Sequence, residues 1–500
     1  MTAVPQQLQA VSGCHYIAGE FQASAGASFP VINPATEEEI GHYAHATGAE
    51  IDAAVAAARS AQRQWWALSA LERAEALHGV AQHLRVTRAE VGEALTREMG
   101  KPYREGCWEA GAAASSFDYY AELARHDAGR VAGPAIAGQW HMTIKEPLGT
   151  VVSIVPFNFP LLLSGWQAAA ALAAGNAIII KPSDLTTLTT LLSMPAFAHL
   201  PAGLVQVISG GADAGKQLVE HEHTHAVAFT GSVPAAQAVA QAAAKRFKST
   251  LIEASGNDPF IVMPSAPIEV VVRGAAFAAY LNCGQVCTAA ERFYVHESVY
   301  EQFVAGLAEQ ARALRVGNGL ECVDMGPLAA RRERERYEAL LERAVRQGAR
   351  VVTGGGRPKH LDKGWFVEPT VLADVAPDME IMHSESFGPV APVCRVRSFD
   401  EAIALANDSD FGLGANIYTR DLNEAMRAVN EIESGIVWVN TPLNDNDAIG
   451  FGGRKMTGHG RELGAEGLEI FRRSKMVMIA PEAQADPEWF PYPDSDAFSG

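Results

Sequence analysis

The chain has 500 residues, 48% of them hydrophobic, enough to bury large cores and long enough for two or three domains. Lys and Arg number 40 against 58 Asp and Glu, and the formal net charge of −18 repels phosphate backbones and anionic lipid, arguing against nucleic-acid and membrane partners. The longest apolar runs are too short or too interrupted for a membrane span, and the opening MTAVPQQLQAVSG has neither a basic start nor an apolar h-region. Six sparse cysteines make no disulfide framework, so a cytoplasmic enzyme with mostly reduced thiols is expected.

Residues 17–35 read as short strands and turns. From about 49 to 99 apolar residues recur at helical spacing, predicting a helical hairpin or more, with Gly-Lys-Pro at 100–102 as its stop. Between 147 and 260 short β-branched runs (GTVVSIVP, NAIIIKPS, GLVQVISG, HAVAFTGS, STLIEASG) alternate with helices at about 160–174, through the 190s and at about 234–246. Strands apolar throughout, separated by helices, mark a mostly parallel sheet covered on both faces, a nucleotide-binding architecture. A second α/β domain follows over roughly 257–465. The proline- and acid-rich end reads as a surface tail, yet Trp489, Phe490 and Tyr492 are large aromatics, expected either to pack on a neighbouring domain or subunit or to lie in a disordered end.

Several local signals invite chemistry. GGADAGKQ fits a phosphate loop at Gly210, Gly215 and Lys216, but Gln217 stands where a hydroxyl would hold Mg²⁺, and a glycine turn between strand and helix needs no ligand. His221, His223 and His225 form a short run in a polar connector, more simply solvated or helix-end groups than metal ligands, and C-x3-C at 283 and 287 lacks the second pair a structural zinc takes; no metal is expected. FTGS, Phe229 to Ser232, ends a strand before a helix and offers free amides to a pyrophosphate, though any N-cap serine looks similar. The run VVVRGAAFAAYLNCGQVC predicts a buried helix with a glycine-containing break after Asn282, and a thiol brought to such a bend near free amides suits a nucleophile; Cys287 is that candidate, with inert core packing the alternative. Glu253, an isolated acid after an apolar strand, is a solvated edge carboxylate or, in a dry cleft, a general base.

Taken in order, these segments resemble the NAD(P)-dependent aldehyde dehydrogenase superfamily, of the hydrolytic, non-acylating type, from about residue 17 to about 476. NCGQVC resembles the family's nucleophile element with Cys287 as nucleophile, LIEASG its general-base element with Glu253, and PFNFP the element whose amide, here Asn158, donates to the oxyanion. The resemblance further places Pro156, Phe157, Lys181, Ser183, Asp184, Phe229, Gly231, Ser232, Glu385 and Phe387 at the cofactor, with GFGGRKMTGHGRELG near the active-site mouth. Phe159, Leu163, Trp166, Val286 and Thr288 are implied for the aldehyde channel. The sequence departs from the family at Ala254-Ser255, where Leu-Gly is usual, and at Thr187 and Gly450, where proline is usual.

What the resemblance implies is a fold of class α/β: a Rossmann-like cofactor domain (1–124 and 147–255), an α/β catalytic domain (256–465), a small β oligomerisation element (125–146 and 466–480) and a C-terminal tail (481–500). It implies a homo-oligomer, dimer or tetramer. The implied reaction is oxidation of a small aldehyde through a thiohemiacetal and a thioester on Cys287, hydride passing to the nicotinamide and Glu253 activating the hydrolytic water. Glu253 argues against transfer to coenzyme A. Asp184 in the ribose segment would repel a 2′-phosphate and favours NAD, while Lys181 could serve NADP as well. An apolar, aromatic channel implies medium aliphatic or aromatic aldehydes; a semialdehyde, the alternative substrate, would need a cation such as Arg292 or Arg454 in the pocket. A catalytically silent relative should have lost Cys287, Glu253 or Asn158, and all three are present.

Overall fold

The computed structural model of the protein describes residues 5–126, 128–485 and 489–491. Its first sheet is built around five parallel strands lying in the order Val205–Val207, Ala177–Lys181, Thr150–Ile154, Ala226–Gly231, Ser249–Ala254. Numbered along the chain this is 3-2-1-4-5, so propagation reverses between Thr150–Ile154 and Ala226–Gly231. A crevice opens beyond the carboxyl ends of strands at such a point, and ligands bind there.

The strands are apolar on both faces because both faces are covered. One cover is the helix Pro160–Ala173, all of whose residues are buried. It starts with proline at its first position, where a missing N–H costs nothing. Two further helices, Gly48–Trp66 and Ala70–Met99, open with capping boxes, Thr47 with Glu50 and Ser69 with Glu72. Gly100, at φ 97°, ends the second in the left-handed region, as the Gly-Lys-Pro stop predicts. A third long helix, Tyr103–His126, resumes immediately. The helix predicted through the 190s is shorter than expected. Thr187–Leu192 ends early and a single 3₁₀ turn, Met194–Phe197, follows. Pro195 withdraws a donor there, and the Ser193 hydroxyl turns back to the Thr190 carbonyl at 2.7 Å.

The second sheet carries Thr370–Ala373, Val390–Val396, Ala290–His296, Asp258–Val262, Asn416–Tyr418 and Trp438–Val439, all parallel, with Arg350–Thr353 antiparallel at one edge. It has its own hydrophobic core, separate from that of the first sheet. Only Ser255, Gly256 and Asn257 separate the last parallel strand of the first sheet from the strand Asp258–Val262 of the second. The late segment also ties the two together. Gly458–His459 adds an antiparallel edge beside Ile252 and Glu253, and the Thr457 hydroxyl donates to the Ser255 carbonyl at 3.0 Å.

A third sheet, antiparallel, joins Gly129–Ala132, Trp140–Pro147 and Arg472–Ile479. Of the tail aromatics, Trp489 is 62% and Phe490 81% exposed, and Tyr492 lies outside the described residues. No described helix is long and apolar enough to cross a membrane.

Candidate active site

The helix Ile268–Tyr280 buries one face in the second core and stops at Leu281. The predicted break therefore begins before Asn282, not after it. Asn282 and Cys283 both take left-handed backbone, φ 50° and 58°, ahead of Gly284. Two non-glycine residues hold this costly geometry because side chains lock it. Asn282 Nδ2 donates to the carbonyls of Asn158 at 3.0 Å and Gln285 at 3.2 Å, and Gln285 Nε2 donates to the Asn282 carbonyl at 3.0 Å. Cys283 is buried in the second core, and burial pushes its thiol far up; it packs. Cys287 emerges half-buried on the crevice side. Burial pushes its thiol well above the ordinary value, and the carboxylates of Glu253, Asp258 and Glu385 add to the rise. At rest it is a neutral thiol that needs a base.

A buried carboxyl stands next to it. Glu253, only 3% exposed, lies at the end of its strand between Thr230 and Gly458 in register. Neither carboxyl oxygen has a hydrogen-bond partner among the described residues. Burial raises the group to about 7, against the pull of the Cys287 thiol and the Thr230 hydroxyl, which are close but too loosely placed to count as hydrogen bonds; Asp445 adds to the rise. A buried carboxyl titrating near neutrality beside a thiol is matched to proton abstraction.

Asn158 follows the strand Thr150–Ile154 at its carboxyl end. Its backbone carbonyl accepts from Lys101 Nζ at 2.6 Å as well as from Asn282. Lys101 in turn forms a wholly buried ion pair with Glu109, whose other oxygen accepts from the Leu161 amide at 2.8 Å. With the backbone thus held, the Asn158 side-chain amide makes no hydrogen bond to a described residue, and neither does the Cys287 amide. Two unengaged donors beside a nucleophile suit a developing oxyanion. Lys101, read from sequence only as part of a helix stop, anchors one of them.

A cavity of about 370 Å³ brings Pro156, Phe157, Asn158, Gly231, Ser232, Glu253, Cys287, Glu385 and Phe387 together. Thr230, Ser255, Glu333 and Arg336 complete its wall. The last two lie on the helix Arg331–Arg346, and no local pattern in their charged run marks them. Arg336 donates to the carbonyls of Glu385 at 3.1 Å and Ser386 at 2.9 Å. Glu291, also unforeseen, accepts from the amides of Ser386 and Phe387 and from the Ser386 hydroxyl at 2.7–2.8 Å. Glu385 is raised to about 8 by burial and then by Glu291. Phe229 does not reach the cavity. It is buried with Ile252 and Ala254 beneath Gly231, where an added Cβ would come within 2.9 Å of its ring. Lys181, Ser183 and Asp184 lie at and just past the end of the strand Ala177–Lys181, the neighbour of Thr150–Ile154, outside the cavity wall. Phe159, Leu163, Trp166, Val286 and Thr288 are buried outside this wall. Trp166 packs on Phe451 at 5.1 Å between ring centres and Phe159 meets Trp108 edge-on at 6.4 Å.

A second carboxyl stands near Glu253. Glu462 accepts from Gln167 Nε2 at 2.7 Å, and Gln167 Oε1 accepts from the Ser153 hydroxyl at 2.6 Å. Burial first, and Glu253 second, raise Glu462 to about 8.

Gly256 is the position where the three site segments touch. Its amide donates to Glu385 Oε1 at 2.9 Å, and a Cβ there would fall 2.0 Å from the Cys287 carbonyl oxygen. Ser255 before it, where the sequence departs from the family, holds φ 56° without being glycine. Gly256→Ala is expected to push the nucleophile away from its base and lower kcat/KM by roughly 100-fold, since a shift of about 1 Å costs that much. Steady-state rates beside circular dichroism test it; full activity in a folded variant would show that the loop yields without cost.

The residues also fit a nicotinamide dinucleotide. The crevice lies at the strand-order reversal, and the helix Val233–Ala244 opens onto it from Ser232, whose hydroxyl makes no capping bond. Glu385 lines the same cavity as Ser232.

Fold and site thus define a class: a dinucleotide-binding α/β protein with a cysteine thiol and a buried carboxyl side by side at the mouth of its crevice. The family described as "Aldehyde dehydrogenase family" matches residues 21–477. A betaine aldehyde dehydrogenase of Brucella anthropi is 37% identical over 472 residues, 93% of this chain and 96% of that protein. Among solved structures, betaine aldehyde dehydrogenase from Staphylococcus aureus in complex with NAD⁺ superposes with a TM-score of 0.94 at 31% identity, covering 98% of this chain and 99% of that one. A 3,6-anhydro-L-galactose dehydrogenase does so with 0.90 at 37% identity, over 93% and 99%. The chain belongs to the aldehyde dehydrogenase family.

Proposed function

We propose that the protein oxidises a medium aliphatic or aromatic aldehyde to its carboxylic acid, preferring NAD to NADP, with Cys287, Glu253 and Asn158 as its catalytic residues. The observation that carries this is Glu253, buried, unpaired and raised to about 7 beside the Cys287 thiol.

When bound, the dinucleotide supplies the acceptor for a hydride. Glu253, once ionised, takes the thiol proton and the Cys287 sulfur bonds to the aldehyde carbon. The oxygen of that adduct meets the Asn158 side-chain amide and the Cys287 N–H, donors worth roughly 3 kcal/mol each in comparable sites. Loss of hydride from the adduct, whose oxygen carries the negative charge, leaves a thioester on Cys287, and Glu253 gives the thiol proton up to solvent. Glu253 then takes a proton from water as the water oxygen attacks, the carbon–sulfur bond breaks, and the sulfur is reprotonated. Hydrolysis by this base is the reason to favour an acid product over transfer to coenzyme A.

The substrate reading follows from the charges near the channel. Arg292 is buried in the second domain and donates to the carbonyls of Asn257, Leu405 and Ala406 at 2.7–3.1 Å, and Arg454 is exposed, so neither serves as a pocket cation. Asp445 lies within electrostatic reach of Glu253, which disfavours the carboxylate-bearing semialdehyde. The relatives' names cover aldehydes of different chemistry and do not choose among them. Asp184 supports NAD as the preferred cofactor.

The open edge of Arg472–Ile479, with Met476 and Met478 exposed, supports assembly as a homo-oligomer through the third sheet. A mass from light scattering above that of one chain is expected.

Initial rates of NAD and NADP reduction with short aliphatic, long aliphatic, aromatic and carboxylate-bearing aldehydes, with and without coenzyme A, test the reading. Coenzyme A-independent oxidation, fastest with the uncharged apolar aldehydes, is the expected result. Preference for the carboxylate-bearing substrate would overturn the channel reading, and zero reduction by a folded, cofactor-binding protein would revive the silent relative.

A further inference from the structure

The ribose end of the crevice holds an ion pair between side chains 148 residues apart. Asp184 follows the strand Ala177–Lys181 of the first sheet. Arg332 stands in the first turn of the helix Arg331–Arg346, which packs Tyr337, Leu340 and Leu341 into the second core. The guanidinium reaches across with two N–H groups, Nη1 to Oδ2 at 3.3 Å and Nη2 to Oδ1 at 3.4 Å. The Ser183 hydroxyl donates to the same carboxylate at 3.1 Å. Lys181 is near enough for its ammonium and Asp184 to hold each other's charge, yet it makes no side-chain hydrogen bond to a described residue.

The contacts are long, and the side chains are 59% and 31% exposed, so the pair is weak and readily parted. Arginine's planar fork grips a phosphate with the geometry it uses on a carboxylate. We infer that Arg332 is the specificity-determining residue of the ribose subsite, leaving Asp184 when cofactor enters and, with Lys181, taking the 2′-phosphate of NADP. The chain then uses NADP alongside the preferred NAD.

Charge decides why both fit. Alone, Asp184 would accept the ribose hydroxyls of NAD and repel a 2′-phosphate. Lys181 and Arg332 set two cations against that one carboxylate. Glu333 draws on Arg332, 3.4 Å from its Nε, but faces Arg336 Nε at 3.3 Å as well, which leaves Arg332 free to turn.

The inference rests on the dinucleotide reading proposed above, and direct binding separates the two. Calorimetric titrations of the full chain with NAD, NADP, 5′-AMP and adenosine 2′,5′-bisphosphate would be compared for wild type, Arg332→Ala and Arg332→Lys. Wild type is expected to bind NADP within about tenfold of NAD. Arg332→Ala should weaken NADP and the bisphosphate by roughly 10- to 100-fold, the worth of a charged hydrogen-bonding group, while NAD and 5′-AMP stay within about threefold. Arg332→Lys should fall between. Unchanged NADP binding in Arg332→Ala, an equal loss for all four ligands, or a wild type that binds NAD but not NADP would each overturn the role of Arg332. Failure of the wild type to bind any of the four would overturn the dinucleotide reading itself.

Discussion

Cys287→Ser is expected to lower aldehyde oxidation by about 10⁴-fold or more while leaving the fold and dinucleotide binding intact. The reason lies in the surroundings of the sulfur. Burial first, and then Glu253, Asp258 and Glu385, already push a thiol well up, and a hydroxyl, intrinsically a far weaker acid, would be neutral at any working pH. The substitution exchanges one atom, so binding and thermal melting serve as controls. Cys283→Ser is the contrasting variant. That thiol is packed in the second core, so its loss should lower stability by about 1–3 kcal/mol for burying a hydroxyl and leave the rate within a few-fold. Near-native activity in Cys287→Ser, or loss of activity in a stable Cys283→Ser, would sink the assignment.

Glu253→Gln is expected to cost about 10²- to 10⁴-fold in turnover, the usual worth of a positioned general base. It should also change two pH profiles. Only the ionised carboxylate accepts a proton, so with Glu253 raised to about 7 the wild-type rate should climb as pH rises through about 7, and the amide should remove that limb. Stability runs the other way. The folded-state value lies above the ordinary 4.5, so the folded protein binds more protons than the unfolded chain between about 4.5 and 7. The carboxyl therefore costs nothing below about 4.5 and destabilises increasingly as pH rises through that window. Glu253→Gln should melt close to wild type in acid and be the more stable above pH 7, by up to about 3 kcal/mol. A variant with unaltered turnover, or one whose stability difference shrinks with pH, would remove Glu253 from the role of base.

What the sequence by itself determined about this protein is what short stretches of chain can encode. The apolar runs AIIIK and TVVSI specify strands buried on both faces, Thr47 with Glu50 and Ser69 with Glu72 start helices, and Gly100 stops one; each acts through hydrogen bonds and burial within a few residues. The strings NCGQVC, LIEASG and PFNFP marked Cys287, Glu253 and Asn158 as candidates through their resemblance to the family, and one cavity brings the three together. Local reading goes astray where a side chain overrides periodicity, as at Ser193, or where asparagine bends the chain before the glycine does, as at Asn282. The resemblance placed Phe229 at the cofactor, and the structure packs its ring with Ile252 and Ala254 beneath Gly231, away from the cavity around Cys287. Only the tertiary structure decided how distant groups meet: Lys101 under Asn158, Glu291 holding the loop of Glu385, Gly256 against Cys287, and Arg332 across from Asp184. These pairings come from the reversal of strand order in the first sheet and from the three-residue link joining it to the second. The elevated acidities of Glu253, Glu385 and Glu462 belong there too, because a carboxyl's affinity for its proton depends on how much water and which charges surround it, and no stretch of sequence states that.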